Sequence, residues 1–163
     1  MPDLINKKEA KRITTRKRIL EAATHLFARL GYHKTTIQDI ANHIDMTTGA
    51  VFHHYDSKPD ILEEVVKELD HSFDKYIEYL SQDHIDYKKM ITGMMIIFKD
   101  QFNYHPDTII ALASLAAEFS GIRGAVIVKI QAAYDKFVDA FEDSLDRICL
   151  KKSNRAAAVC FIS

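Results

Sequence analysis

The stretch from Thr35 to Leu62, TTIQDIANHIDMTTGAVFHHYDSKPDIL, decides the fold. It opens on overlapping capping boxes, Thr35 with Gln38 and Thr36 with Asp39, which predict a helix start. Ile37, Ile40, Ala41 and Ile44 then form an apolar stripe at helical spacing. Asp45-Met46 breaks it. Thr47 or Thr48 caps a second short unit that carries Val51, Phe52 and Tyr55. Ser57 caps a third helix with Pro59 in its first turn. Two short helices joined by a tight break, after a longer helix, have the layout of a helix-turn-helix. Such a unit buries one face of its second helix and presents the other to the major groove. The presented face here carries Thr47, Thr48, Ala50, His53 and His54.

The adjacent pair His53-His54 admits a metal site, an acid/base pair, a phosphate grip or plain surface residues. Neighbours on a helix point about 100° apart, and a helical two-histidine metal site prefers a spacing of four. A catalytic role needs a convergent pocket that a short surface helix does not supply. No metal or cofactor is therefore expected, and a phosphate contact and mere exposure remain as readings.

Outward from this stretch the chain reads as helices. Ile19, Leu20, Ala23, Leu26, Phe27 and Leu30 predict a helix over 16–30, ended by Gly31. Leu62, Val66, Leu69, Phe73, Tyr76 and Leu80 predict one continuous helix over about 58–80. Further helices are expected over 86–103, 107–119 and 125–150, the second of them buried because it is apolar nearly all round. Ser153 is expected to cap one more. Apolar residues make up 47% of the 163-residue chain, with only 5 Gly and 3 Pro, so an all-α protein with a real core follows.

The net charge of −1 hides an asymmetry. Residues 1–36 hold 9 Lys/Arg against 3 Asp/Glu, and the remainder 13 against 20. A basic head on an acidic body suits a polyanionic partner at one end. Cys149 and Cys160 form no Cys-x-x-Cys pair, and Cys149 is expected to be a small buried apolar residue in a reduced, cytoplasmic chain. The N-terminus lacks an apolar signal core, and runs such as Met94–Phe98 are too short to span a bilayer.

The quoted stretch resembles the DNA-binding signature of TetR-type transcriptional repressors. Thr35, Thr36, Ile40, Ala41, Thr47, Gly49, Val51, Phe52, His54, Tyr55, Lys58 and Leu62 fall in step with it, and RKRILEAATHLFARLGYHKTT looks like the family's first helix. The match covers roughly residues 12–65. The family usually has Ala-Gly-Val in the turn where this chain has Ile44-Asp45-Met46. Phe52 stands where Tyr is common, so a phosphate-binding hydroxyl is missing.

The resemblance implies a three-helix DNA-binding unit over 1–57 after a basic arm, 1–12. An effector-binding and dimerisation domain follows over 58–163, with 58–80 as the connecting helix. It implies DNA contacts from Thr36, Gln38, Thr47, Thr48, Gly49, Ala50, Phe52, His53, His54 and Lys58. Gln pairs bidentately with adenine, although Gln38 also reads as a solvent-facing capping side chain. It further implies a pseudo-palindromic operator, a homodimer, and release by an apolar or amphipathic effector. Met90, Met94, Phe98, Phe102, Phe119, Tyr134 and Phe137 would bind that effector, although from the residues alone the methionine stripe reads first as core. The family's body continues through two more helices, and this chain is expected to end within the first. From another class, a helical-bundle carrier of apolar ligands without DNA binding fits the body but not the basic head.

Overall fold

The computed structural model describes residues 2–82, 86–120 and 124–160, with side chains for 7–82, 86–120 and 124–150. Its elements are α1 (Pro2–Leu30), α2 (Ile37–His43), α3 (Thr48–Phe52), α4 (Lys58–His71), α5 (Asp74–Leu80), α6 (Tyr87–Tyr104), α7 (Pro106–Glu118) and α8 (Ala125–Cys160). Among the described residues there is no strand. The all-α expectation holds.

Local chemistry sets most boundaries. Gly31 takes φ 85° after α1, a conformation that costs glycine least, and its N–H donates to the Phe27 carbonyl at 3.1 Å. The Thr36–Asp39 capping box forms at both hydrogen bonds. The expected Thr35–Gln38 box does not. Thr35 is buried and donates to the Gly31 carbonyl at 2.8 Å, while Gln38 bonds Asn42 at 2.6 Å. Thr47 and Ser57 cap α3 and α4.

The helix-turn-helix break is a Schellman closure. Met46 N–H reaches the Ala41 carbonyl (2.9 Å) and Asp45 N–H the Asn42 carbonyl (3.3 Å). Asp45 sits at φ 55°, the left-handed position that the sequence put on a residue other than glycine. Asp45→Gly is therefore expected to raise stability by about 0.5–1 kcal/mol in urea unfolding, once glycine's greater unfolded-state entropy is set against the relieved strain. An unchanged or lower midpoint would contradict this.

One apolar core unites α1 to α4 with α7 and Ile130 of α8. Its centre holds Ile19, Phe27, Ile40, Val51, Ile61 and Leu115. A second, smaller cluster joins Leu80, Met90 and Ile148 at the far end of the body.

Several expectations are corrected. The basic arm is helical, because residues 2–30 form a single helix. The helix foreseen over 58–80 is broken at Ser72-Phe73. The apolar periodicity runs through the break, but the Ser72 hydroxyl bonds the Leu69 carbonyl at 2.6 Å, and such back-bonding bends helices. α7 is not wholly buried, since only Ala111, Leu112 and Leu115 are. α8 runs through Ser153 without a new start, and Cys149 is exposed.

Candidate nucleic-acid interface

α3 is held by what lies beneath it. Val51 and Tyr55 are buried against the core. Arg16 of α1 lies over the Tyr55 ring at 4.3 Å, donates to the His54 carbonyl at 2.8 Å and pairs with Glu64 of α4. Burial pushes the Tyr55 hydroxyl's pKa up, so it stays protonated. Arg18 donates to the Ile44 carbonyl at 2.8 Å and so satisfies the end of α2. These arginines serve the fold through their carbonyl and carboxylate partners, and charge counting cannot separate them from a polyanion-facing set. Lys7, Lys8, Lys11 and Lys34 remain exposed.

The outward face of the unit carries Thr36, Gln38, Thr47, Gly49, Phe52 and His53, all exposed, with Thr48, Ala50 and His54 half-buried. A Cβ on Gly49 would meet only the Thr47 hydroxyl oxygen, at 4.0 Å. Among the described residues nothing requires glycine there. His54 is held neutral more readily than a free histidine, first by burial and then by the Arg16, Arg12 and His53 charges. Its Nδ1 is buried without a partner among the described residues.

Lys58 lies at the first turn of α4, as foreseen, but its ammonium is turned inward. It donates to the Tyr32 and Thr35 carbonyls, both at 2.9 Å, and lies 4.2 Å from the centre of the Tyr32 ring. It thus ties α4 to the α1–α2 loop, and of a lysine's three donors two are taken up among the described residues. The sequence held no signal for this second role.

The body meets this unit through α7. Asp107, at its start, bonds His25 (2.8 Å) and Arg29 (3.4 Å) of α1. Glu118, at its end, accepts from the Tyr32 and His33 N–H groups (both 2.7 Å) and bonds His33 Nδ1 at 2.6 Å. Neither contact was foreseen.

A cavity of about 260 Å³ opens in the body between α5, α6, α7 and α8. It is lined by Ser72, Phe73, Tyr76, Met94, Met95, Phe98, Gln101, Ile109, Leu112 and Phe137. Met94, Phe98 and Phe137 of the foreseen set meet here. Met90 is buried in the smaller cluster against Ser144, Phe119 packs on Tyr32 and His33, Tyr134 packs on Phe73, and Phe102 is exposed. Among the lining residues not foreseen, Ser72 and Phe73 lie at the helix break, which periodicity does not reveal, and Gln101 faces them from α6.

Three helices closed on a Schellman turn, with a short third helix presented to solvent, make this a helix-turn-helix protein. Residues 19–65 match the family model described as bacterial regulatory proteins, tetR family. A curated relative, the transcriptional repressor KstR2 of Rhodococcus jostii, is 37% identical over 67 residues, covering 40% of this chain and 33% of that protein. The chain spans about a third to a half of the length of the curated relatives it matches. The ketosteroid regulator KstR2 of Mycobacterium tuberculosis superimposes with a TM-score of 0.69 at 19% identity, covering 82% of this chain and 67% of that one, which shows the fold. A SmeT–triclosan complex does so with a TM-score of 0.63 at 25% identity, covering 82% and 65%. Among the described residues no helix is long and apolar enough to cross a membrane.

Proposed function

We propose that this chain is a DNA-binding repressor of transcription rather than an enzyme, acting in the cytoplasm as a homodimer on a pseudo-palindromic operator. The observation that carries the reading is the α3 face around Gly49, bare toward solvent and rigidly backed, in a segment that matches the TetR family model. Thr47, Thr48, Ala50 and His53 read base edges or lie close to them. Thr36, His54, the backbone at Gly49 and the third donor of Lys58 contact phosphates, Phe52 packs at the sugar–phosphate edge, and Gln38 reaches an outer base. Residues 1–57 form the DNA-binding unit and 58–163 the effector domain.

One five-residue recognition helix reads few base pairs, so useful specificity requires two copies about 34–36 Å apart. The effector reading is supported by the cavity and by the triclosan carried by a relative of similar fold. Selection of bound sequences from a random DNA pool tests the central claim. A salt-dependent, inverted-repeat consensus is expected, and no binding to any pool sequence would overturn it. Light scattering at micromolar concentration tests the homodimer, which a strict monomer would refute.

A further inference from the structure

We propose that the body cavity takes an uncharged aromatic molecule bearing one hydrogen-bond acceptor, and that this acceptor draws the Gln101 amide off the Ser72 carbonyl, allowing α4 and α5 to join. The proposal rests on the reading of 58–163 as an effector domain and names both ligand class and switch. Four aromatic rings, Phe73, Tyr76, Phe98 and Phe137, line the cavity together with Met94 and Met95. Among the described residues none that lines it is Lys, Arg, His, Asp or Glu. Burial pushes the Tyr76 hydroxyl's pKa up, so the ring stays a neutral phenol. A charged ligand would lose its hydration with no opposite charge to replace it. The volume is at the small end for ligand sites, which favours a molecule of on the order of a dozen non-hydrogen atoms.

The switch lies in the backbone. In an unbroken helix the Tyr76 N–H would donate to the Ser72 carbonyl. Here it donates to the Phe73 carbonyl at 2.9 Å instead. The Leu69 carbonyl, which Phe73 N–H would take, accepts the Ser72 hydroxyl, and Phe73 N–H goes to Asp70 at 3.1 Å. The Ser72 carbonyl so released is satisfied by Gln101 Nε2 from α6 at 3.1 Å. An unpaired buried carbonyl is costly. A ligand that engages Gln101 therefore leaves the Tyr76 N–H as the nearest backbone donor that restores the Ser72 bond. Straightening is carried along α4 to Lys58, which is fastened to the Tyr32 and Thr35 carbonyls.

The test uses 1-naphthamide as probe, with 1-naphthoate as its charged counterpart and 1-methylnaphthalene as the version lacking an acceptor. The chain has no Trp, so naphthyl fluorescence reports binding directly. Spin labels at the exposed positions Lys67 and Glu78, in a Cys149→Ser, Cys160→Ser background, report the α4–α5 angle. Naphthamide is expected to bind at least tenfold tighter than either counterpart and to lengthen the label separation. Gln101→Leu is expected to show the long separation without ligand and to bind naphthamide no better than methylnaphthalene. Absent naphthamide binding, or naphthoate binding as tightly, overturns the ligand class. A separation that naphthamide leaves unchanged in the wild type overturns the switch, whether or not Gln101→Leu folds. No DNA enters these measurements, so their failure is separate from failure of the repressor reading.

Discussion

Gly49→Leu is expected to lower affinity for the selected operator about a hundredfold while leaving thermal unfolding nearly unchanged. The stability half follows from the empty space around Gly49, where a Cβ meets only the Thr47 hydroxyl oxygen at 4.0 Å. Leucine is also the better helix former by up to about 1 kcal/mol, so the folded chain loses nothing. The binding half follows from the exposed position of residue 49 in the first turn of α3. On the proposed docking, a side chain there would hold the helix off the groove and break the two phosphate bonds assigned above to His54 and the Gly49 backbone. At about 1.5 kcal/mol each these amount to roughly 3 kcal/mol, or about two powers of ten. Gel-shift titration beside calorimetric unfolding separates the two halves. Unchanged affinity would mean that the α3 face does not approach DNA closely, and would remove the observation on which the functional reading rests.

The helix-turn-helix was legible because its determinants are local. Gly31, Thr36, Thr47 and Ser57 end or begin helices through bonds to neighbours three or four residues away. Asp45 was legible as the residue standing where the resembling family usually has glycine, and a left-handed residue there closes the Ala41–Met46 turn. What the sequence could not disclose depends on distant partners. Arg16, Arg18 and Lys58 look like any exposed cations until their carbonyl acceptors are known. The break at Ser72-Phe73 was hidden because the apolar stripe Leu69, Phe73, Tyr76, Leu80 continues across it. Periodicity records which faces are apolar, not whether each carbonyl has its helical donor. For the same reason the aromatic residues of the body could not be sorted in advance. Phe137 reaches the cavity, whereas Phe119 packs on the α1–α2 loop.

Glu118→Ala is expected to produce the larger loss of stability, about 2–4 kcal/mol in urea unfolding. Glu118 accepts the N–H groups of Tyr32 and His33, which follow the left-handed Gly31, and also bonds the His33 ring. Hydrogen bonds to a charged acceptor are worth about 1.5–3 kcal/mol each when lost from a sheltered site, and the exposed His33 ring contributes less. The same contact sets a pH dependence. Burial alone would push the Glu118 carboxyl's pKa up. The His33 and Tyr32 N–H groups and the His33 ring outweigh it and hold the pKa below the ordinary 4.5. A group whose folded pKa is depressed contributes its stability above the unfolded pKa and loses it as pH falls through the folded one. The wild type should therefore lose stability more steeply than Glu118→Ala below about pH 4.5, and the two curves should converge in acid. Because Glu118 ends the helix whose Ile109 and Leu112 line the cavity, the variant should also loosen the body's hold on the α1–α2 loop. Faster amide exchange at Tyr32 and His33, with α3 protection retained, would register that. Parallel stability curves for the two proteins down to acid would show that the carboxylate bears no such load.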